Sequence, residues 1–265
     1  MEPQRSDRMP GVWLETLTWP EAKARLDANA VVVIPIGAAA KEHGHHLPLN
    51  TDYLLARALA ERVAAVLPVV IAPIVCFGYY PAFVGYAGSQ HLRAETFMAL
   101  LTDIFGKLVQ DGARRIVVIN TGVSTEAPLQ IAVRNTFEAT GVRVAVADIR
   151  RLGLAAQHEA QQKLGGHADE IETSILLAVA RDCVRFDRAT TDYGHVLDEP
   201  ETVLYRPVRF GSDPAAGLDF SATGARGDPT LANAELGKRV LADMTRELIE
   251  GIRALYPDVA PSPGD

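Results

Sequence analysis

The sequence predicts an α/β fold: a three-layer sandwich in which a mainly parallel sheet lies between two layers of helices. Strand-like and helix-like segments alternate from residue 18 to residue 147, as expected for a parallel sheet with helices on both faces. Residues 30–36 are a continuous apolar, mostly β-branched run, which is typical of a strand buried on both faces, and residues 115–120 carry a similar run between Arg115 and Asn120. No repeat or linker interrupts the 265 residues, so we expect one domain over residues 1–265, with a loose tail at residues 1–12.

The first elements have clear boundary signals. Thr18, followed by Pro20 and Glu21, predicts a helix start, because a hydroxyl cap, an early proline and an acidic first turn all favour one. This helix is expected to end near Asp27, before the strand at residues 30–36. A second helix is predicted from Thr51 because the following apolar residues recur at helical spacing: Leu54, Leu55, Ala58, Leu59 and Val63.

The middle of the chain continues the alternation. A short strand is predicted at residues 68–74, followed by residues 76–94, which are rich in glycine, tyrosine and phenylalanine and show no helical period. The remaining predicted elements of the sheet are a helix at 95–109, a strand at 115–120, a helix at 126–139 and a strand at 142–147.

The last third is predicted to be helical at both ends. Helices are expected at residues 153–163 and 168–180, separated by two glycines. Residues 184–225 read as irregular, apart from a β-prone piece at 202–209. Asp228 and Pro229 are predicted to begin a last long helix that ends near residue 254.

Composition narrows the class of partner. A formal charge of −7 argues against nucleic acid and against an anionic membrane surface. The sequence has no apolar span of 18 residues, and its polar N-terminus lacks the hydrophobic region of a leader, so we expect a cytoplasmic protein. The two cysteines form no disulfide framework and no C-x-x-C pair. A small-molecule substrate is the expected partner.

The stretch GAAAKEHGHHLPLNTD at residues 37–52 directly follows the first buried strand. It contains Lys41, Glu42, three of the chain's seven histidines (His43, His45 and His46) and Asp52. Imidazole nitrogens and carboxylate oxygens are the ligands that suit Zn, Mn or Fe, and the end of a strand is where α/β proteins usually place a site. A metal or catalytic role is therefore favoured over a polar surface loop.

A second polar group lies in the segment GGHADEIETS. If a helix begins near Ala168, Glu172 falls on the apolar face together with Ile175, Leu176 and Val179. Because a lone buried carboxylate is costly unless it is paired or binds a cation, a site role is favoured for Glu172. For Asp169 and Glu170, capping of the helix dipole is the favoured role.

Two further loops stay open to more than one reading. His91, in a glycine-rich loop, could be a ligand, a proton carrier or a surface residue. The stretch NTGVST at residues 120–125 could offer backbone N–H groups to an anion or a carbonyl oxygen. It could equally be a plain strand-to-helix turn capped by Ser124 or Thr125.

The combination of motifs resembles the creatininase (creatinine amidohydrolase) family. PIGAAAKEHGHHLPLNTD is similar to the family's E-Q-H-G-x-H-L-P signature with its following Asp, and HADEIETS is similar to its second helix motif. The resemblance implies an α/β sandwich, a hexameric assembly and a two-metal hydrolase of C–N bonds. It also implies that His43 and Asp52 are metal ligands, Asp52 bridging two ions, that Glu172 lies near the active site and that His167 is a candidate proton carrier.

The departures from the family pattern change the expected metal site. Lys41 stands where the family has a ligand Glu, so Glu42 is expected to take over that role. Gly122 and Ser124 replace the His and Glu ligands of the family's N-G-H-x-E-N motif, while His91 replaces a small residue and could restore one nitrogen ligand. These changes favour one divalent ion per chain (Zn or Mn, or Fe) over two. The expected ligands are Glu42, His43, Asp52 and His91.

Three functions remain open at this stage. The favoured one is a metal-dependent hydrolase of a non-peptide C–N bond in a small cyclic amide, formamide or related amide. Glu172 and His167 would then carry protons, and the predicted substrate-binding residues are Asn120, Thr121, Tyr86 and His46. A family member recruited to lyase or isomerase chemistry and a non-catalytic binding or assembly protein are the alternatives.

Overall fold

The computed structural model describes residues 10–194, 210–213 and 219–259, and for Phe210 and Asp219 it describes the backbone alone. Within these residues, five parallel strands form one sheet: β1 (Val12–Trp13), β2 (Val31–Ile36), β3 (Val70–Ile71), β4 (Arg115–Asn120) and β5 (Val144–Asp148). Their order is β1-β3-β2-β4-β5, with β2 and β4 at the centre. Two short parallel strands, β6 (Phe210–Gly211) and β7 (Asp219–Phe220), pair separately. The predicted parallel sheet is confirmed.

Seven α-helices accompany the sheet in the described residues. They are α1 (Trp19–Asp27), α2 (Thr51–Ala64), α3 (Ala94–Gln110), α4 (Glu126–Thr140), α5 (Leu154–Gln157), α6 (Glu170–Val179) and α7 (Ala234–Leu255). The first begins after the predicted cap Thr18, whose backbone N–H and Oγ1 both donate to the Glu21 carboxylate. None of these helices is both long enough and apolar enough to cross a membrane.

The two faces of the sheet carry separate apolar cores, which confirms the three layers. Alternate residues of β2 point to opposite faces: Val31 and Val33 into one core, Val32 and Ile34 into the other. The first core is closed by apolar residues of α2, α6 and α7, and the second by those of α3 and α4. All six residues of β2 are buried, as its β-branched sequence predicted.

The strand register brings two predicted polar segments together. In the β2–β4 pair, Ile36 lies opposite Asn120, the last residue of each strand. Residues 37–52 and the NTGVST turn therefore leave the same edge of the sheet, at the carboxyl ends of its central strands. The site of an open α/β sheet is expected at this edge.

Long-range contacts shift several predicted boundaries. Val12, within the predicted tail, pairs with Val70 in β1. The predicted helix at 153–163 is wrong beyond Gln157, because the backbone N–H groups of Gln161 and Gln162 donate to the Glu170 carboxylate instead of continuing a helix. The strand predicted at 68–74 is reduced to Val70–Ile71.

The start of the last helix is also different. Asp228 accepts from the N–H of Thr230 at the beginning of a short 3₁₀ turn, Pro229–Leu231, and α7 begins later with Asn233 as its cap. The β-prone piece predicted at residues 202–209 lies outside the described residues.

Candidate metal centre

The loop that follows β2 turns its polar side chains inward. Lys41, Glu42, His43, His46 and Asp52 are all buried, and none exceeds 6% relative exposure. His45 points outward. Lys41 N–H donates to Leu49 O, which closes the loop, and Asp52 lies in the first turn of α2, where a carboxylate favours the helix dipole. The surface-loop reading is therefore wrong for this segment.

Asp52 links a lysine and a histidine. Its Oδ2 lies 2.7 Å from Lys41 Nζ, and its Oδ1 lies 3.0 Å from His43 Nε2. Burial alone would raise the pKa of Asp52, but the Lys41 and His43 charges and hydrogen bonds hold that pKa well below its usual range. Asp52 is therefore a carboxylate near neutral pH.

The His43 ring has acceptors on both sides. Its Nδ1 lies 2.9 Å from the Lys41 carbonyl oxygen, and its Nε2 faces the Asp52 carboxylate. A backbone carbonyl at Nδ1 is the arrangement that fixes a metal-binding histidine. Because both ring nitrogens face oxygen acceptors, Nε2 meets the Asp52 carboxylate favourably when it carries a proton or binds a cation. The donor set therefore fits a divalent ion.

His167 is held in the same way by Glu42. Its Nε2 lies 2.8 Å from the Glu42 carbonyl oxygen and 3.0 Å from Glu42 Oε2. Burial opposes protonation of His167, but the hydrogen bond and the charge of Glu42 outweigh it and raise the pKa of this histidine. With Nε2 held by Glu42, Nδ1 is the ring nitrogen that faces Glu172, at 3.8 Å from its Oε2.

The two histidines and Glu172 converge on one point. One nitrogen of His43, one nitrogen of His167 and one carboxylate oxygen of Glu172 lie within 4.8 Å of one another, and in the described residues this is the group of three donors that could hold a metal ion. His167 Nδ1 and Glu172 Oε2 are 3.8 Å apart. Two ligands that each bind an ion at about 2.0–2.2 Å can span that distance across it.

The start of α6 aims Glu172 at this group. Asp169 is the N-cap and accepts from the N–H groups of Ile171 and Glu172, so its predicted capping role is confirmed. Glu172 Oε2 in turn accepts from Ala168 N at 2.6 Å. Glu170 also lies in the first turn of α6, as predicted, and its buried carboxylate in addition accepts from the backbone N–H groups of Gln161 and Gln162.

His46 lies beside the group. Its Nε2 is 2.8 Å from Thr173 Oγ1 on α6. Burial lowers the pKa of His46 to about 4, so it is neutral near pH 7.

The structure does not bring His91 into this group. Its Nδ1 accepts from Tyr80 N at 3.3 Å, and its ring packs beside those of Tyr79 and Tyr80. Tyr86 is also occupied, because its hydroxyl donates to the Ser221 carbonyl at 2.9 Å. The metal role predicted for His91 and the substrate role predicted for Tyr86 remain predictions that this geometry does not support.

Asn120 and Thr121 are buried in the turn after β4. Thr121 Oγ1 donates to Ile36 O and Asp52 O, both at 3.0 Å, and Asn120 Oδ1 accepts from Thr125 Oγ1 at 2.7 Å. These bonds tie the turn to β2 and α2. The plain-turn reading is thereby supported, with Thr125 as a side-chain anchor. A substrate role for Asn120 and Thr121 remains a prediction.

A small cavity adjoins Lys41 and Asp52. Its volume is about 10 Å³, room for about one water molecule. Gly122 and Ser124 line it, together with aromatic residues of the 76–94 segment. Small residues in the turn after β4 thus leave a space beside the Asp52 carboxylate.

A groove on the other side leads to Glu172. Its volume is about 510 Å³, in the range of ligand pockets. Apolar side chains such as Ile171, Ile175 and Met244 line it, with Arg150 and Lys163 among its charged residues. Glu172 is the member of the donor group that also lines this groove.

Two partners in the site were not identified from sequence: Lys41 as the ion-pair partner of Asp52, and Glu42 as the acceptor for His167. The second contact spans 125 positions along the chain, so no local pattern encodes it. Phe83 was also missed as a wall of the site. Its ring centroid lies 4.5 Å from that of His167 and 5.0 Å from Lys41 Nζ.

Comparisons of the sequence with known proteins point to one family. A family model described as creatinine amidohydrolase matches residues 15–252. Creatinine amidohydrolase of Pseudomonas putida is 27% identical, over 93% of this chain and 98% of its own. 3-Dehydro-scyllo-inosose hydrolase of Thermotoga maritima is 25% identical, over 95% and 86%. A mycofactocin precursor peptide peptidase of Mycobacterium ulcerans is 29% identical, over 91% and 87%.

Solved structures of creatininases also resemble this chain. A creatininase described as its Mn form superposes with a TM-score of 0.76 and 27% identity, over 93% of this chain and 99% of that one. A mutant creatininase of Zn-Zn type gives a TM-score of 0.78 and 26% identity, over the same shares.

Proposed function

The chain belongs to the creatininase family, and we propose that it is a metal-dependent hydrolase of a carbon–nitrogen bond in a small amide. The observation that carries the proposal is the convergence of His43, His167 and Glu172 within 4.8 Å, at the end of a groove. The names of its relatives support hydrolysis: they include an amidohydrolase, an inosose hydrolase and a peptide peptidase.

We infer that His43, His167 and Glu172 hold one divalent ion, Zn or Mn by analogy with related structures. When bound, such an ion supplies a Lewis acid and lowers the pKa of a water molecule. Glu42 stands behind His167, on its Nε2, and Asp52 faces Nε2 of His43, each at 3.0 Å, so both carboxylates fix the orientation of these rings. In this arrangement Glu42 and Asp52 orient the donors, and His91 lies outside the set.

Glu172 is the proton carrier that the geometry favours. Its Oε2 faces His167 and the proposed ion, so Oε1 is the oxygen that can take a proton and pass it to a leaving nitrogen in the groove. Neutral His46 lies beside the same helix turn as a candidate hydrogen-bond donor or acceptor for the substrate. Phe83 packs against His167 and excludes water from that side.

The groove also supports a second substrate class. Its volume of about 510 Å³ exceeds what a small cyclic amide needs. Its apolar floor and basic residues suit the end of a short peptide, and the peptidase among the relatives points the same way. Non-peptide amides, as expected from the sequence, and short peptides are therefore both candidate substrates. The cytoplasmic location and the hexameric assembly also stay predictions.

The test combines metal content with hydrolysis. Protein purified without chelators is assayed by mass spectrometry for Zn and Mn. It is then incubated with lactams, formamides and short peptides, and released amine is measured. We expect bound metal and amine release from one substrate class, both lost in His43→Ala. Glu172→Gln should keep the fold and lose about 10²–10⁴-fold in rate.

His91→Ala is the matched control, because that histidine lies outside the donor group. It should keep both metal and activity. Loss of the metal in His91→Ala but not in His43→Ala would contradict the proposed ligand set. A metal-loaded protein that releases no amine from any of these substrates would favour a recruited lyase or isomerase instead. Metal-free protein that binds no small ligand would favour a non-catalytic role.

A further inference from the structure

We propose that the Lys41 ammonium is the fixed counter-charge of Asp52, in the position that a second metal ion would otherwise fill, so that the site takes a single divalent ion. This inference rests on the proposed function, because it concerns the number of ions in the same site. It assigns to Lys41 a positioning role that acts through Asp52.

The contact between Lys41 and Asp52 is the first support. The ammonium lies 2.7 Å from one carboxylate oxygen, and the two side chains are 8% and 3% exposed. Taking two charges out of water costs several kcal/mol per ion, roughly, so the burial of this pair adds little net stability by itself. Asp52 offers its other oxygen to His43 at 3.0 Å. One oxygen thus faces a donor residue, and the other is neutralised by the chain itself.

The charge balance of the site is the second support. Three carboxylates face the two histidines or the lysine: Asp52, Glu42 and Glu172. The Lys41 ammonium and one divalent ion together neutralise them. A second divalent ion would leave excess positive charge in a buried site, with Lys41 directly beside it.

The small cavity beside the pair is the third support. It is lined by Lys41, Asp52, Gly122 and Ser124 and has a volume of about 10 Å³. That space holds about one water molecule, and no organic substrate of the proposed class fits into it. Neither Gly122 nor Ser124 offers an anionic donor there. The cavity therefore has room for an ion but lacks the negative charge to hold one while Lys41 is present.

The inference is tested by converting the counter-charge into a ligand. Chelator-treated wild type and Lys41→Glu are titrated with Mn²⁺, and free Mn²⁺ is followed by electron paramagnetic resonance. We expect one ion per chain in wild type and two in Lys41→Glu. Lys23→Glu is the matched control, since it makes the same charge change in an exposed pair with Asp27 and should bind one ion.

Lys41→Met keeps the test decisive if Lys41→Glu does not fold. Removing the ammonium should tighten binding of the first Mn²⁺ by about tenfold or more, because it removes a positive charge close to the ion. A merely structural lysine predicts the reverse, since its loss would loosen the loop and weaken binding. Circular dichroism and thermal unfolding without metal confirm that each variant is folded.

The outcomes separate this inference from the proposed function. Two ions in wild type, one ion in a folded Lys41→Glu, or weaker binding in Lys41→Met would overturn the role of Lys41 and leave the hydrolase proposal standing. No ion in wild type would overturn the proposed function. In that case, an ion gained by Lys41→Glu and not by Lys23→Glu would still support Lys41 as the counter-charge.

Discussion

The buried pair of Lys41 and Asp52 should show strong energetic coupling in the metal-free protein. Asp52→Asn keeps the shape of the side chain but leaves the Lys41 ammonium without its partner at 8% exposure. At 2.7 Å the Coulomb attraction is about 6 kcal/mol for an effective dielectric constant of about 20, and desolvation offsets part of it. We therefore expect Asp52→Asn to lower the free energy of unfolding by about 3–5 kcal/mol.

A double-mutant cycle then removes the unpaired Lys41 charge as well. Adding Lys41→Met to Asp52→Asn should recover most of the loss, because a neutral pair of similar volume no longer buries a charge. The predicted coupling energy is about 2–4 kcal/mol. It is measured by urea unfolding of the four proteins near pH 7 with chelator present, followed by circular dichroism.

The exposed pair Lys23 and Asp27 provides the control. Its coupling should stay below about 0.5 kcal/mol, as is usual for exposed pairs one helical turn apart. Effects of Lys41→Met and Asp52→Asn that add within about 0.5 kcal/mol would refute the reasoning, because the two charges would then not depend on each other.

Three further predictions concern pH and helix packing. The depressed pKa of His46 means that folding disfavours its charged form. The stability that His46 contributes is therefore present above pH 6.5 and is lost as the pH falls from there to about 4. His46→Gln should flatten this part of the profile of unfolding free energy against pH. In α7, Gly237→Ala would place a Cβ in steric overlap with Ser174 O and should cost several kcal/mol, whereas Gly251→Ala meets no atom within 4 Å and should stabilise by about 0.5–1 kcal/mol in thermal unfolding. Asn233→Ala removes the cap that accepts from Leu236 N at 2.9 Å and should cost about 1 kcal/mol, and equal stability in Asn233→Ala and wild type would contradict that role.

Local patterns were sufficient to predict the sheet and most of its helices. The buried β-branched runs of β2 and β4 and the cap of α1 each depend on neighbours in sequence, so their signals survive without knowledge of the fold. The early end of α5 and the late start of α7 could not be predicted from such local patterns. Glu170 captures the N–H groups that a longer α5 would use, and that competition is visible only after the chain has folded.

The candidate metal centre was likewise predicted only in part. The motif predicted that His43, Asp52, His167 and Glu172 belong together, and the structure brings them together. It could not predict which carboxylate orients which histidine. Glu42 was expected to bind the ion directly, but the fold places it on the far side of the His167 ring.

The lysine shows the limit of reasoning from motif positions. From the sequence, Lys41 is a missing ligand, and a replacement was sought in Glu42 and His91. The structure shows instead that the lysine side chain folds back onto Asp52 at 2.7 Å. A substitution that removes a ligand can supply a charge in its place, and this is decided by side-chain direction, which the sequence pattern does not contain.

The most direct test of the central claim is an anomalous diffraction map from crystals grown with Mn²⁺, recorded at an energy where manganese scatters anomalously. We predict one peak per chain, within about 2.0–2.5 Å of a nitrogen of His43, a nitrogen of His167 and an oxygen of Glu172, with Lys41 still paired to Asp52. Two peaks, or one peak in the cavity between Lys41 and Gly122, would contradict the account.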